Sequence, residues 1–187
     1  MSSLSHSLYR RMTETPTVRL LLEFTGPSVI ALLSHALYNV VGRIFVGRFV
    51  GANGLAALTV AFPIMIAQFA FVLMIGGGAS TLISIRLGQS RPDQAEEILG
   101  NMLVMLLTVS ALLTVAGLVF LDPLLTLFGV QPQLHPFSAD YLGIIPWGTP
   151  LMMVGIAMDF VIRAEGYPKT AALIMITSSI TNVILGY

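Results

Sequence analysis

Five apolar stretches, each long enough to cross the hydrocarbon of a bilayer, occupy approximately residues 20–42, 55–87, 98–120, 137–162 and 170–187. A hydrocarbon core about 30 Å thick takes roughly 20 residues of helix, and inside it every backbone polar group needs a partner within its own segment. The pattern predicts an all-α integral membrane protein, a polytopic bundle of about five transmembrane helices behind a segment spanning residues 1–19. Composition points the same way. The chain is 56% hydrophobic and 10% charged, and nine basic plus nine acidic side chains cannot cover a water-facing exterior. The lipid bilayer is therefore the first partner to expect.

Several classes of function fall away. Net charge is zero and the basic residues sit between apolar runs, so no stripe for nucleic acid exists. The absence of cysteine removes disulfides and thiolate metal sites. There is no Gly-rich phosphate loop, no His-Glu-x-x-His and no nucleophile elbow, which argues against an enzyme and against a cofactor. Any transport would draw on an ion gradient or a partner. The first apolar run lacks a small-residue cleavage pattern, so the first helix itself is expected to direct insertion.

Lysine and arginine orient the bundle. Arg10, Arg11 and Arg19 precede the first stretch, Arg86 and Arg91 separate the second from the third, and Arg163 and Lys169 separate the fourth from the fifth; Arg43 and Arg48 stand on the other side. This distribution predicts a cytoplasmic amino terminus. In the connection from Arg86 to Glu97, Ser90 and Asp93 have the spacing of a capping box opening the third helix. On the outer side, Asp122-Pro123 and the run to Phe128 predict a short interfacial helix, with Pro132 and Pro136 stopping anything longer.

Polar side chains inside the apolar stretches are the candidate site, because in a bilayer they face protein or a water-filled cavity. Ser28, His35, Asn39 and Gly42 are spaced by seven, four and three, on one face of the first helix. His35 reads either as a protonatable group or as a packing histidine. Asp159 lies within the fourth stretch with Arg163 four residues on, which fits an ion pair or a carboxylate handling a proton or cation. Ser178 and Asn182 form a stripe on the fifth helix, and Gln68 follows Pro63 in the second. A line of small residues at Gly77, Thr81, Ser84 and Gly88 predicts close helix packing. Pro27, Pro63, Pro146 and Pro150 each remove a backbone hydrogen bond and predict bends.

Four motifs carry a resemblance. The run Leu37-Tyr-Asn-Val-Val-Gly-Arg-Ile-Phe-Val-Gly-Arg48, then Val50-Gly-Ala-Asn-Gly-Leu-Ala-Ala-Leu-Thr-Val-Ala-Phe-Pro63, resembles the first loop region of the multidrug and toxic compound extrusion (MATE) family. Gly76-Gly-Gly-Ala-Ser-Thr81, Arg86-Leu-Gly-Gln89 and Arg163-Ala-Glu-Gly-Tyr-Pro-Lys169 look like that family's later motifs, in the expected order. The resemblance implies twelve helices in two six-helix lobes and the export of drug-like, often cationic compounds in exchange for H+ or Na+, from a bacterial-type inner membrane. Against that pattern the chain is expected to be a truncated amino-terminal lobe, lacking the sixth helix and the second lobe. Relatives carry aspartates where this sequence has Gly42 and Gly186, while the asparagine four residues before the latter remains as Asn182. Two other readings stay open: a lipid-linked precursor flippase, and a non-transporting or remnant membrane protein acting by helix association.

Overall fold

The computed structural model describes residues 16–128, 130–131 and 134–185. Among these the chain is helical: α1 (Thr17–Phe49), α2 (Ala52–Val72), a π-turn (Leu73–Gly77), α3 (Gly78–Gly88), α4 (Pro92–Val119), α5 (Leu121–Leu127), α6 (His135–Ala164) and α7 (Pro168–Leu185). Among the described residues five helical stretches are long and apolar enough to span a membrane: Thr25–Phe49, Ala52–Gly88, Pro92–Val119, His135–Ala164 and Pro168–Leu185. The all-helical, polytopic architecture expected from the sequence is the one observed.

The turns follow from local chemistry. At the end of α3, Ser90 adopts φ 58°, with its N–H bonded to Leu87 O and the Arg91 N–H bonded to Arg86 O. Gly166, at φ 88°, closes α6 in the same way, its N–H reaching Arg163 O and the Tyr167 N–H reaching Ile162 O. Both are Schellman endings, which satisfy carbonyls a helix terminus would otherwise leave bare. Glycine takes this left-handed conformation at little cost, whereas Ser90 is a less usual occupant. Pro92 and Pro168 then open the next helices, a position where the missing N–H costs nothing.

These turns correct two local expectations. Ser90 and Asp93 make no capping box: Arg91 is the N-cap of α4, without a side-chain cap bond, and Ser90 belongs to the end of α3. Pro92 decides this, since it claims the first helical position and restricts the residue before it to extended backbone. The first helix also runs on past Gly42 to Phe49, so Arg43 and Arg48 lie within α1 and only Val50 and Gly51 connect it to α2.

Helix α6 is central, packing against α2, α4 and α5, while α1 pairs chiefly with α7. One apolar core joins Val72, Ile75, Ile83, Met102, Leu106, Met153, Ala157 and Val161 from α2 through α6. A smaller one, nearer α5, joins Ala61, Leu125 and Leu142. A close approach to α6 is at Gly76, where an added Cβ would stand 2.8 Å from Ala157 Cβ. It falls inside the π-turn, so the extra residue in that turn sets which glycine faces α6. The stripe at Gly77, Thr81, Ser84 and Gly88 is not the packed face. Thr81, Ser84 and Gly88 are exposed, and an added Cβ at Gly77 or Gly88 meets nothing within 4 Å. The π-turn shifts the register by one residue, which a uniform 3.6-residue period does not capture.

Candidate substrate and ion pathway

Two partly buried charged groups of α6 are held in a clasp. Arg163 Nε donates to Asp159 Oδ2 at 2.8 Å and Nη2 to Oδ1 at 3.3 Å, while Nη1 donates to Ser28 Oγ on α1 at 2.8 Å. The spacing of four residues stacks the acid and the base on one helix face, and the planar guanidinium matches both carboxylate oxygens. Both side chains are about a quarter exposed. Ser28 follows Pro27, the proline within α1, so the clasp grips α1 beside a residue that cannot donate a backbone hydrogen bond.

A second polar contact lies in the interior between α2 and α6. Gln68 is 4% exposed, and its Nε2 donates to Thr149 Oγ1 at 3.0 Å. The Thr149 hydroxyl in turn donates to Ile145 O at 3.3 Å. Among the described residues Gln68 Oε1 has no hydrogen-bond partner. One turn along α6, Thr114 of α4 donates to Pro146 O at 2.8 Å. Pro150 explains this bond: it has no N–H to give the carbonyl four residues earlier, and Thr114 supplies the donor.

The remaining expected site residues line α1 and α7. Asn39 is exposed and Gly42 half-buried on α1, and Ser178 and Asn182 are exposed on α7. Around Gly42 an added Cβ meets no atom within 4 Å, so there is room for a side chain. The side chain of His35 and the whole of Gly186 lie outside the described residues. The structure thus joins Asp159 to Arg163 and Ser28, and Gln68 to Thr149, as two separate clusters. Thr149 and Thr114 were not singled out in the sequence; Thr149 directly precedes Pro150, a local signal, whereas nothing local marks Thr114 as the donor to the carbonyl that Pro150 leaves bare. Among the described residues no three histidine, aspartate or glutamate side chains assemble as a metal site.

Five long apolar helical stretches among the described residues, packed around a central α6, define a multi-pass membrane bundle. The family model described as MatE matches residues 27–187, and the chain belongs to that family. It is 26% identical over 174 residues to a FAD transporter of Shewanella oneidensis, covering 93% of this chain and 38% of that protein. It is 27% identical over 162 residues to the probable multidrug resistance protein YoeA of Bacillus subtilis, covering 87% of this chain and 35% of that one. The chain therefore spans well under half the length of these relatives. Among solved structures, the MATE multidrug transporter DinF-BH, determined as a ligand complex, superposes with a TM-score of 0.85 at 34% identity, over 89% of this chain and 37% of that one. A MOP superfamily transporter from Pyrococcus furiosus superposes with a TM-score of 0.86 at 22% identity, over 94% and 39%, a likeness of fold alone.

Proposed function

We propose that the chain forms one lobe of a secondary efflux transporter, exporting small organic cations in exchange for H+ or Na+, and that it works together with a sixth helix and a second lobe. Its amino terminus then lies in the cytoplasm, in keeping with the basic residues clustered on that side. The observation that carries the reading is the arrangement of α1. It bears Asn39 and Gly42, pairs with α7, which bears Ser178 and Asn182, and is tied to α6 through Ser28 and Arg163. Exposed polar groups on two paired membrane helices suit the wall of an aqueous pathway. The cationic cargo is the one the family resemblance implies, and the Arg163–Asp159 pair presents no net charge against it.

In this reading Asp159 serves the clasp with Arg163, and coupling through this lobe lacks the carboxylates that the family resemblance implies at positions 42 and 186. Export of a fluorescent cationic rhodamine dye from a host stripped of its own pumps, by the chain joined to the sixth helix and second lobe, tests the proposal, with FAD as a second cargo. Dye efflux that collapses when the ion gradient is dissipated supports it; dye retention with intact expression and membrane insertion overturns it.

A further inference from the structure

A cavity of 380 Å³ opens between α2, α4, α5 and α6, walled by apolar groups that include Pro63, Leu113, Phe120, Leu124 and Leu142, together with Gln68. Its size is that of a small-molecule site, and such sites are mostly apolar with a few placed polar groups. Among the described residues no ionisable side chain lines it and it takes no wall from α1 or α7, so it is separate from the polar groups considered for transport. A charged guest would be stranded there without a counter-charge.

Gln68 supplies the placed polar group. Its amide orientation is set by the chain of donors: Nε2 gives to Thr149, and Thr149 gives to Ile145 O. The leftover atom, Oε1, is a buried acceptor with nothing to accept from. Unmet acceptors of this kind are rare in folded proteins and mark a missing donor. The side chain is among those lining the cavity, and the last torsion of a glutamine has a broad well, so the amide can adjust to an entering donor.

We propose that this cavity is a binding site for a small, neutral, largely apolar molecule that donates one hydrogen bond, of the phenol or alcohol class, to Gln68 Oε1. The site stands apart from the transport reading, since binding is measured without transport and by an uncharged probe.

The test uses the whole protein in lipid nanodiscs, with empty nanodiscs as the partition control, and a matched pair of probes: 1-naphthol and 1-methoxynaphthalene, which keeps the ring system but lacks the donor. Wild-type protein is expected to bind the naphthol saturably and about five-fold more tightly than the ether, the worth of one net hydrogen bond. Gln68→Leu should bring the two probes together, and Ala116→Phe, which fills the cavity from α4, should abolish both. The paired comparison on wild-type protein decides the matter even if Gln68→Leu does not fold. No saturable binding, equal affinity of the two probes for wild-type protein, or a naphthol preference that survives Gln68→Leu would overturn the proposal.

Discussion

Arg163 on α6 reaches Ser28 on α1, Nη1 to Oγ at 2.8 Å, across a separation of 135 residues in the chain. Because α1 otherwise packs chiefly against α7, this hydrogen bond is a cross-link between α1 and the central helix. The two other guanidinium nitrogens hold Asp159, so the arginine is fixed in place before it reaches across.

Removing one member of the clasp should therefore cost more than removing the cross-link alone. Asp159→Ala leaves Arg163 partly buried without its counter-charge, and a loss of about 1–2 kcal/mol is expected, discounted for its partial exposure. Ser28→Ala removes one hydrogen bond and should cost about 1 kcal/mol. Thermal unfolding in detergent ranks the two. In export assays Asp159→Asn should lower the rate while leaving its pH dependence unchanged; a flattened pH profile would instead make Asp159 the coupling group.

At the crossing of α2 and α6, Gly76→Ala places a methyl group 2.8 Å from Ala157 Cβ and 3.2 Å from its Cα. Backbone cannot yield as a flexible side chain does, so a loss of about 1–3 kcal/mol is expected. Ala157→Gly in the same protein should recover part of it, because the nearer of the two contacts disappears. Gly77→Ala, whose Cβ meets nothing within 4 Å, serves as the control and should be close to neutral.

Thr114→Val strips the donor from Pro146 O and should destabilise the protein by about 1–2 kcal/mol, since that carbonyl has no water to turn to. Pro150→Ala restores an N–H at the position that serves the same carbonyl. In that background the threonine should matter much less, and a double-mutant cycle with a coupling of about 1 kcal/mol is the expected readout.

Gly42→Asp should be tolerated structurally, as a Cβ there meets no atom within 4 Å. If coupling in this lobe is weak for want of a carboxylate, the variant should make dye export more strongly pH-dependent than wild type. An unchanged profile would mean that position 42 does not face the ion pathway.

The membrane architecture was legible because hydrocarbon imposes a one-dimensional rule: a helix must be apolar over its whole crossing, and that rule is written in consecutive residues. The same locality made the pairing of Asp159 with Arg163 readable, for four residues is one helical turn. Ser28 and Gln68 could be picked out as buried polar groups, but not their partners. Arg163 meets Ser28, and Gln68 meets Thr149, only because α6 lies against other helices at one particular height and rotation. Nor did the glycine pattern name the packed face: the π-turn at Leu73–Gly77 inserts a residue into the helical count and brings Gly76, not the stripe beginning at Gly77, against Ala157. Apolar period and turn chemistry act between near neighbours and were set by the sequence alone. Helix rotation, partner choice and the orphaned oxygen of Gln68 depend on packing distant segments together, and the tertiary structure decided them.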